Sequence, residues 1–158
     1  MTLSRPLLRA AAVLALALPV AACLVMPYEP PTEGPLADIR ISNQSGRYLA
    51  VSFYDDSVEC RERHNLLPVV NSGKVRDLKM AAGREATITL SQDVGPGVGC
   101  LATLSFDPAE HHRYEITLTR TCVATILDVT TTPAVPVQRQ ERTFKRAFDE
   151  HGPFCDRR

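Results

Sequence analysis

Residues 100–106 read CLATLSF and residues 114–118 read YEITL, and these two stretches decide the fold. In both, every second residue is apolar, which is the two-residue period of a half-buried β-strand. The polar residues 107–113 between them are typical of a turn, so the two stretches predict a hairpin. In that hairpin one face carries both sulfurs, with Cys100 opposite Cys122.

Similar alternating segments precede this pair. The apolar period recurs at Ile39–Ile41, Leu49–Phe53 and Ala86–Leu90, and Val75–Met80 is a weaker strand. Turn residues separate the segments, with 43–46 predicting a hairpin between the first two and 95–97 breaking the chain before Cys100. About seven short strands joined by turns predict a mainly β fold, a small antiparallel β-sandwich of immunoglobulin-like or transthyretin-like topology.

The C-terminal part of the chain carries two different patterns. Val135 and Val137 alternate like a strand edge, whereas Phe144, Ala147 and Phe148 recur at helical spacing ahead of a Gly-Pro stop signal. We therefore expect a short C-terminal strand followed by one or two helical turns.

The N-terminus has the layout of an export signal. Arg5 and Arg9 precede an uncharged apolar run of thirteen residues, from Ala10 to Ala22. A charged start, a short apolar core and a small-residue end are typical of signal peptides, whereas a helix that spans a bilayer needs about 20 apolar residues. Two alternatives stay open: ordinary cleavage after Ala22 with an unmodified Cys23, and an uncleaved N-terminal helix.

The apolar run ends in Val20-Ala21-Ala22-Cys23. This tetrapeptide resembles the lipobox of bacterial lipoproteins, in which an aliphatic residue and two small residues precede an invariant cysteine. The resemblance implies that the Cys23 thiol carries diacylglycerol, that the chain is cut before Cys23, and that the new amine is often acylated, for example by palmitate. In Gram-negative lipoproteins a residue such as Leu24 at the next position favours the outer membrane, which gives an expected location in the cell envelope, facing the periplasm.

Setting Cys23 aside leaves an even number of cysteines in an exported chain. The four that remain are Cys60, Cys100, Cys122 and Cys155. Such a set predicts two disulfides with three possible connectivities, and strand parity favours Cys100–Cys122 with Cys60–Cys155. A structural zinc site is disfavoured, since no two of these cysteines stand two to four residues apart.

The chain therefore divides into three parts. Residues 1–22 form the predicted signal, and residues 23–37 form the acylated cysteine with a Pro-rich tether. Residues 38–158 form one disulfide-bonded β-sandwich domain.

Charge argues against nucleic acid as a partner. The chain has 18 basic and 18 acidic residues, and loss of Arg5 and Arg9 with the signal leaves 16 basic side chains. Proteins that bind nucleic acids typically carry a strongly basic face, and a nearly neutral domain gives no such indication.

Candidate chemical groups are few, and each fits a loop or strand end. His111-His112 beside Glu110 could ligate zinc or copper, but these residues fall in the predicted turn. Asp55-Asp56 follows a strand, where aspartates commonly form turns. His64 follows a polar, charged stretch. We therefore expect no catalytic residues, no metal and no cofactor.

Two functions remain as hypotheses. The first is a non-enzymatic envelope lipoprotein, held on the membrane through Cys23, whose domain binds a protein partner through a sheet edge or loops. The alternative is a periplasmic accessory protein that binds a metal or small ligand at His111, His112 and the Asp55-Asp56 loop.

Overall fold

The structure is a computed structural model, and it describes residues 26–93 and 99–156. These residues contain no helix, and therefore none that is long and apolar enough to cross a membrane. The strands, in chain order, are β1 (Met26–Pro27), β2 (Leu36–Gln44), β3 (Ala50–Asp56), β4 (Arg61–Asn65), β5 (Val75–Ala81), β6 (Ala86–Asp93), β7 (Gly99–Phe106), β8 (Arg113–Thr119), β9 (Ala124–Asp128), β10 (Val135–Pro136) and β11 (Gln140–Arg142). The predicted signal, the lipobox with Cys23, and the break at Gly95–Gly97 lie outside the described residues.

The strands form two sheets packed face to face, which confirms the predicted β-sandwich. Sheet A has the order β1-β4-β3-β6-β7-β11, and sheet B has the order β10-β9-β8-β2-β5. Most neighbours are antiparallel, as predicted. Two pairs are parallel instead, β2 with β8 and β1 with β4. The wholly antiparallel expectation was wrong for these pairs, because residue alternation carries no information on strand direction.

The core lies between the sheets, where alternate residues of each strand point inward. In sheet B, Ile41 and Ile116 are fully buried, and in sheet A Ile88 and Leu90 are fully buried. Burying an aliphatic side chain of this size contributes about 2 kcal/mol to the stability of the fold. The inward faces are the ones that the apolar period predicted.

The predicted hairpins are not present. Strand β7 belongs to sheet A and β8 to sheet B, so residues 107–112 cross from one sheet to the other. The same is true of β2 with β3. Alternation identifies the buried face of each strand, and a strand buries the same face whether its successor lies beside it or in the opposite sheet about 10 Å away. The strands beside β7 are β6, with Asp93 opposite Gly99, and β11.

The expected C-terminal helical turns were also wrong, whereas the short strand at Val135 is present as β10. Phe144 forms an isolated antiparallel bridge with Cys155, and its ring stacks on Phe154 at 5.8 Å between centroids. This segment covers the outer face of sheet A through a small cluster that includes Tyr54. The Cys60–Cys155 disulfide and these ring contacts hold the segment extended, so its apolar spacing does not reflect a helix.

The segment expected to be a tether contacts the sandwich from its first described residue. Met26 pairs with His64 of β4, and the Tyr28 amide donates to the Asn65 carbonyl at 2.9 Å. The Tyr28 ring packs on Phe53 with centroids 4.0 Å apart. Its hydroxyl donates to the Lys79 carbonyl in sheet B at 2.8 Å. The folded domain therefore includes residues from Met26, rather than starting at residue 38.

Candidate functional site

The four described cysteines form two disulfides. Cys100 pairs with Cys122 and Cys60 with Cys155, at Cα separations of 5.5 and 5.3 Å. This is the pairing that strand parity favoured, but the geometry differs from the one expected. Cys122 lies in the turn between β8 and β9 with φ at 63°, so the bond joins sheet A to sheet B rather than two strands of one hairpin.

The histidines singled out in the sequence contact separate acidic partners. His112 Nδ1 lies 2.6 Å from Asp128 Oδ2, and His64 Nε2 lies 3.0 Å from Asp55 Oδ2. His111 is exposed and lies 3.6 Å from Glu110. Each histidine therefore has one carboxylate neighbour of its own.

Asp56 forms a turn at the end of its strand, as the sequence indicated. Its Oδ1 accepts hydrogen bonds from the Val58 and Glu59 amides, at 2.8 and 3.4 Å. Within residues 26–93 and 99–156 no three His, Cys, Asp or Glu side chains form a group that could hold a metal ion. The geometry of the described part thus gives no support to the metal-binding alternative.

The largest unpaired feature of the described sandwich is one edge of strand β5. β5 pairs with β2 over seven consecutive residues without a bulge, and its other side has no strand partner among the described residues. The other terminal strands are shorter: β1 and β10 have two residues each, and β11 has three. Short terminal strands present few free backbone groups, whereas a long regular edge is a template for another strand.

Hydrogen bonds at both ends of β5 show which backbone groups face outward. The Asn43 amide donates to the Lys74 carbonyl, and the Ala82 amide donates to the Pro35 carbonyl. In an antiparallel ladder the bonded residues alternate, so even-numbered residues from 74 to 82 bond β2. Val75, Asp77 and Lys79 therefore direct their amides and carbonyls away from the sheet. Of these groups, the Lys79 carbonyl accepts the Tyr28 hydroxyl.

The outer face beside this edge carries a ladder of opposite charges. Lys79 Nζ lies 2.7 Å from Asp38, and Arg40 Nε lies 2.8 Å from Asp77, with all four side chains at least half exposed. Exposed pairs of this kind contribute little to stability, because water and salt screen them. A cavity of about 550 Å³ adjoins the ladder, and its lining includes Arg113.

Sequence reasoning missed this edge. The sequence predicts only a weak strand at Val75–Met80, since charged residues interrupt its apolar period. Those charges were the available signal, because charged side chains are common on edge strands. They could not show which edge of which sheet the strand occupies.

The fold and the site define a small disulfide-linked β-sandwich with one long unpaired edge. A comparison with models of known protein families finds no match, and no curated protein sequence matches the chain.

Proposed function

We propose that this protein is a non-enzymatic envelope lipoprotein whose β-sandwich binds a protein partner by adding one of its strands to the edge of β5. The observation that carries the proposal is the outward edge of the seven-residue strand β5, the longest edge without a strand partner in the described residues, on which only the Lys79 carbonyl has a described hydrogen-bond partner, Tyr28. In strand addition, main-chain hydrogen bonds supply affinity and alternate side chains supply specificity.

The chemistry of the edge restricts the kind of segment that fits. Val75 is 55% exposed and offers an apolar contact at the start of the strand. Asp77 and Lys79 follow on the same face with opposite charges. Because like charges directly opposite each other are destabilising, the partner strand should place a basic residue near Asp77 and an acidic residue near Lys79.

Cysteine use supports the anchor in this proposal. The chain has five cysteines, and the two disulfides use four of them. Cys23 is the remaining cysteine and ends the lipobox-like tetrapeptide. Two disulfides also favour an exported, oxidising location. Two or more acyl chains give durable attachment, since each buried methylene contributes about 0.8 kcal/mol. Attachment to the outer membrane, facing the periplasm, belongs to the same proposal.

A proline substitution tests the edge without breaking the sheet. The Asp77 amide faces outward, so Asp77→Pro removes a free donor and adds a ring on the edge, while the β2–β5 ladder stays intact. Asp77→Ala is the matched control, because it loses the ion pair with Arg40 but keeps the amide.

The readout is photocrosslinking in cells from a reactive residue placed at Val75, with Val123 in the β8–β9 turn as the control position. We expect a crosslinked partner from position 75 that is retained in Asp77→Ala and lost in Asp77→Pro. Equal crosslinking in both variants, or crosslinking from position 123 alone, would refute strand addition at β5.

Cys23→Ser tests the anchor. We expect the variant to leave the membrane fraction and remain in the soluble envelope fraction. Its intact mass should lack acyl groups, whereas the unchanged protein should carry them. Retention of the variant on the membrane would overturn the lipid assignment.

A further inference from the structure

Phe148 is the most exposed large apolar side chain among the described residues, at 110% relative exposure. The backbone that carries it is anchored on both sides. Phe144 packs in the cluster on the outer face of sheet A, and Cys155 is fixed to Cys60 by the disulfide. The segment thus holds a fully exposed aromatic ring at its tip.

The backbone beside Phe148 lies along the outer edge of β4. The Glu62 amide donates to the His151 carbonyl and the Arg63 amide to the Glu150 carbonyl, at 3.1 and 3.4 Å. The next residue of β4, His64, pairs with Met26. The C-terminal segment and β1 therefore occupy adjacent positions on one edge.

The direction of β1 places the N-terminal end of the described chain beside the C-terminal segment that carries Phe148. β1 runs parallel to β4, with Met26 beside His64 and Pro27 beside Asn65. The N-terminal end of β1 therefore lies toward Arg63 and Glu150. Met26 is itself 38% exposed.

Only Leu24 and Val25 separate Cys23 from Met26. Three residue steps of fully extended chain span at most about 10 Å. An acylated Cys23 lies at the bilayer surface, so the anchor holds this edge of the domain against the membrane rather than at the end of a long tether.

We propose that the edge formed by Met26 and the Phe148 segment contacts the bilayer surface, with the Phe148 ring inserted among the lipids. This inference rests on the proposed Cys23 anchor. Phe, Trp and Leu side chains on membrane-surface proteins bury at the boundary of the headgroups and acyl chains, where the side chain leaves water.

The charges near this edge balance one another: most form ion pairs within the protein, and Arg146 and Asp149, which flank Phe148, have opposite signs. Ion pairs join Arg63 to Glu150, and His151 Nδ1 lies 2.7 Å from Glu62. Lys145 contacts Asp156 in the same segment. Charges of both signs in balance leave little net attraction for anionic lipids, so the contact relies on apolar insertion and suits a zwitterionic bilayer.

The chain contains no tryptophan, which makes a single introduced indole a clean reporter. The acylated, full-length Phe148→Trp protein is reconstituted in zwitterionic phospholipid vesicles with brominated or ordinary acyl chains. The matched control is Tyr48→Trp. Tyr48 is 69% exposed and precedes β3, whose first residues lie past the Asn65 end of β4.

We expect the indole emission of Phe148→Trp to shift to the blue on reconstitution and to lose intensity with brominated chains, while the emission of Tyr48→Trp changes in neither way. Identical emission behaviour of the two variants would overturn the inference and indicate that Phe148 faces solvent or another protein.

Vesicle flotation separates this inference from the anchor. If Phe148→Trp floats with the vesicles and its indole stays unquenched, the bilayer contact fails and the anchor stands. If the unchanged protein carries no acyl group and does not float, both fail. Adding Cys23→Ser to the reporter variant should abolish flotation and quenching together, whereas Phe148→Ser should still float on its acyl chains.

Discussion

At the scale of single residues, Asn43 is a buried polar side chain with every hydrogen-bonding group satisfied. It is 1% exposed, and its Nδ2 donates to the Arg47 and Val70 carbonyls, both at 2.7 Å. Its Oδ1 accepts from the amide and hydroxyl of Ser45. The side chain therefore ties the turn after β2 to the loop before β5.

Asn43→Ala should lower the free energy of unfolding by about 3 kcal/mol, because it leaves buried carbonyls and an amide without their partner. Urea denaturation measures the change. Gln44→Ala is the control, since the neighbouring Gln44 is exposed. Equal stability of the two variants would contradict this role of Asn43.

Asp128 is a second single residue with a predicted effect, because its carboxyl makes the stability of the fold depend on pH. Burial raises the pKa of its carboxyl, but hydrogen bonds from Thr130 and His112 outweigh burial and lower that pKa below its ordinary value. A depressed folded-state pKa stabilises the protein above the unfolded pKa, near 4, and this contribution is lost as pH falls through the folded value.

Stability should therefore fall less steeply from pH 5 to pH 2 in Asp128→Asn than in the unchanged protein, because an amide takes up no proton. At pH 7 the variant should be less stable by about 1 kcal/mol. Urea denaturation across this pH range measures both effects, with Asp107→Asn, at an exposed position, as the control. Parallel pH curves for the Asp128 variant and the unchanged protein would refute the role of the Asp128 pair.

At the scale of elements, the C-terminal segment depends on a close approach at Gly152. Its φ is 82°, and a Cβ added there would lie 2.9 Å from the Cys60 carbonyl oxygen. Gly83, in the turn between β5 and β6, has a similar φ of 75° but nothing within 4 Å of such a Cβ. An alanine at Gly83 would therefore report the cost of backbone strain alone, whereas an alanine at Gly152 would add the cost of steric overlap with Cys60.

Gly83→Ala should cost about 1 kcal/mol, the strain of a left-handed alanine. Gly152→Ala should cost more, because the overlap with Cys60 also displaces the segment from sheet A. Proteolysis after Lys145 or Arg146 should accelerate in Gly152→Ala alone. Equal proteolysis of the two variants would show that the segment does not depend on the contact at Gly152.

The elements also show what a single sequence can predict. Alternation identified the inward faces of β7 and β8 because it reflects burial, which is local to each strand. It misassigned their pairing because strand neighbours depend on long-range packing. The edge position of β5 was out of reach for the same reason, since it depends on which strands lie beside β2 in the completed sheet.

At the scale of the whole molecule, the two proposed surfaces belong to different sheets, since β4 lies in sheet A and β5 in sheet B. The backbone that leads to Phe148 lies along β4 of sheet A. Arg76 of β5 contacts the Leu67 carbonyl, which lies past Asn65 at the end of β4. Val75, at the start of β5, therefore lies toward Leu67, whereas Tyr28, two residues after Met26, contacts Lys79 nearer the other end of β5. A partner strand would therefore approach β5 from its Val75 end, away from the Tyr28 contact.

Tyr28 connects the proposed anchor to the sandwich, because it lies shortly after Cys23 and contacts both sheets. Burial raises the pKa of its hydroxyl to about 12, although nearby Arg84 lowers it. Because the folded protein favours the neutral form of this hydroxyl, Tyr28 contributes stability that is fully present below pH 10. This contribution is lost as pH rises through 12. Tyr28→Phe should remove this alkaline contribution and cost about 1 kcal/mol at pH 7 through the lost hydrogen bond to Lys79.

Tyr28→Ala should cost about 3 kcal/mol, because it also removes the ring that packs on Phe53. In this variant, hydrogen exchange should accelerate at the backbone amide of residue 28, which donates to the Asn65 carbonyl. Exchange in the core strand β8 should change little. This pattern would show that residues 26–28 are held by the sandwich as part of the domain. Unchanged exchange in both variants would instead mean that the Tyr28 side chain does not hold the N-terminal segment on β4, and the short distance between anchor and domain would lose its structural basis.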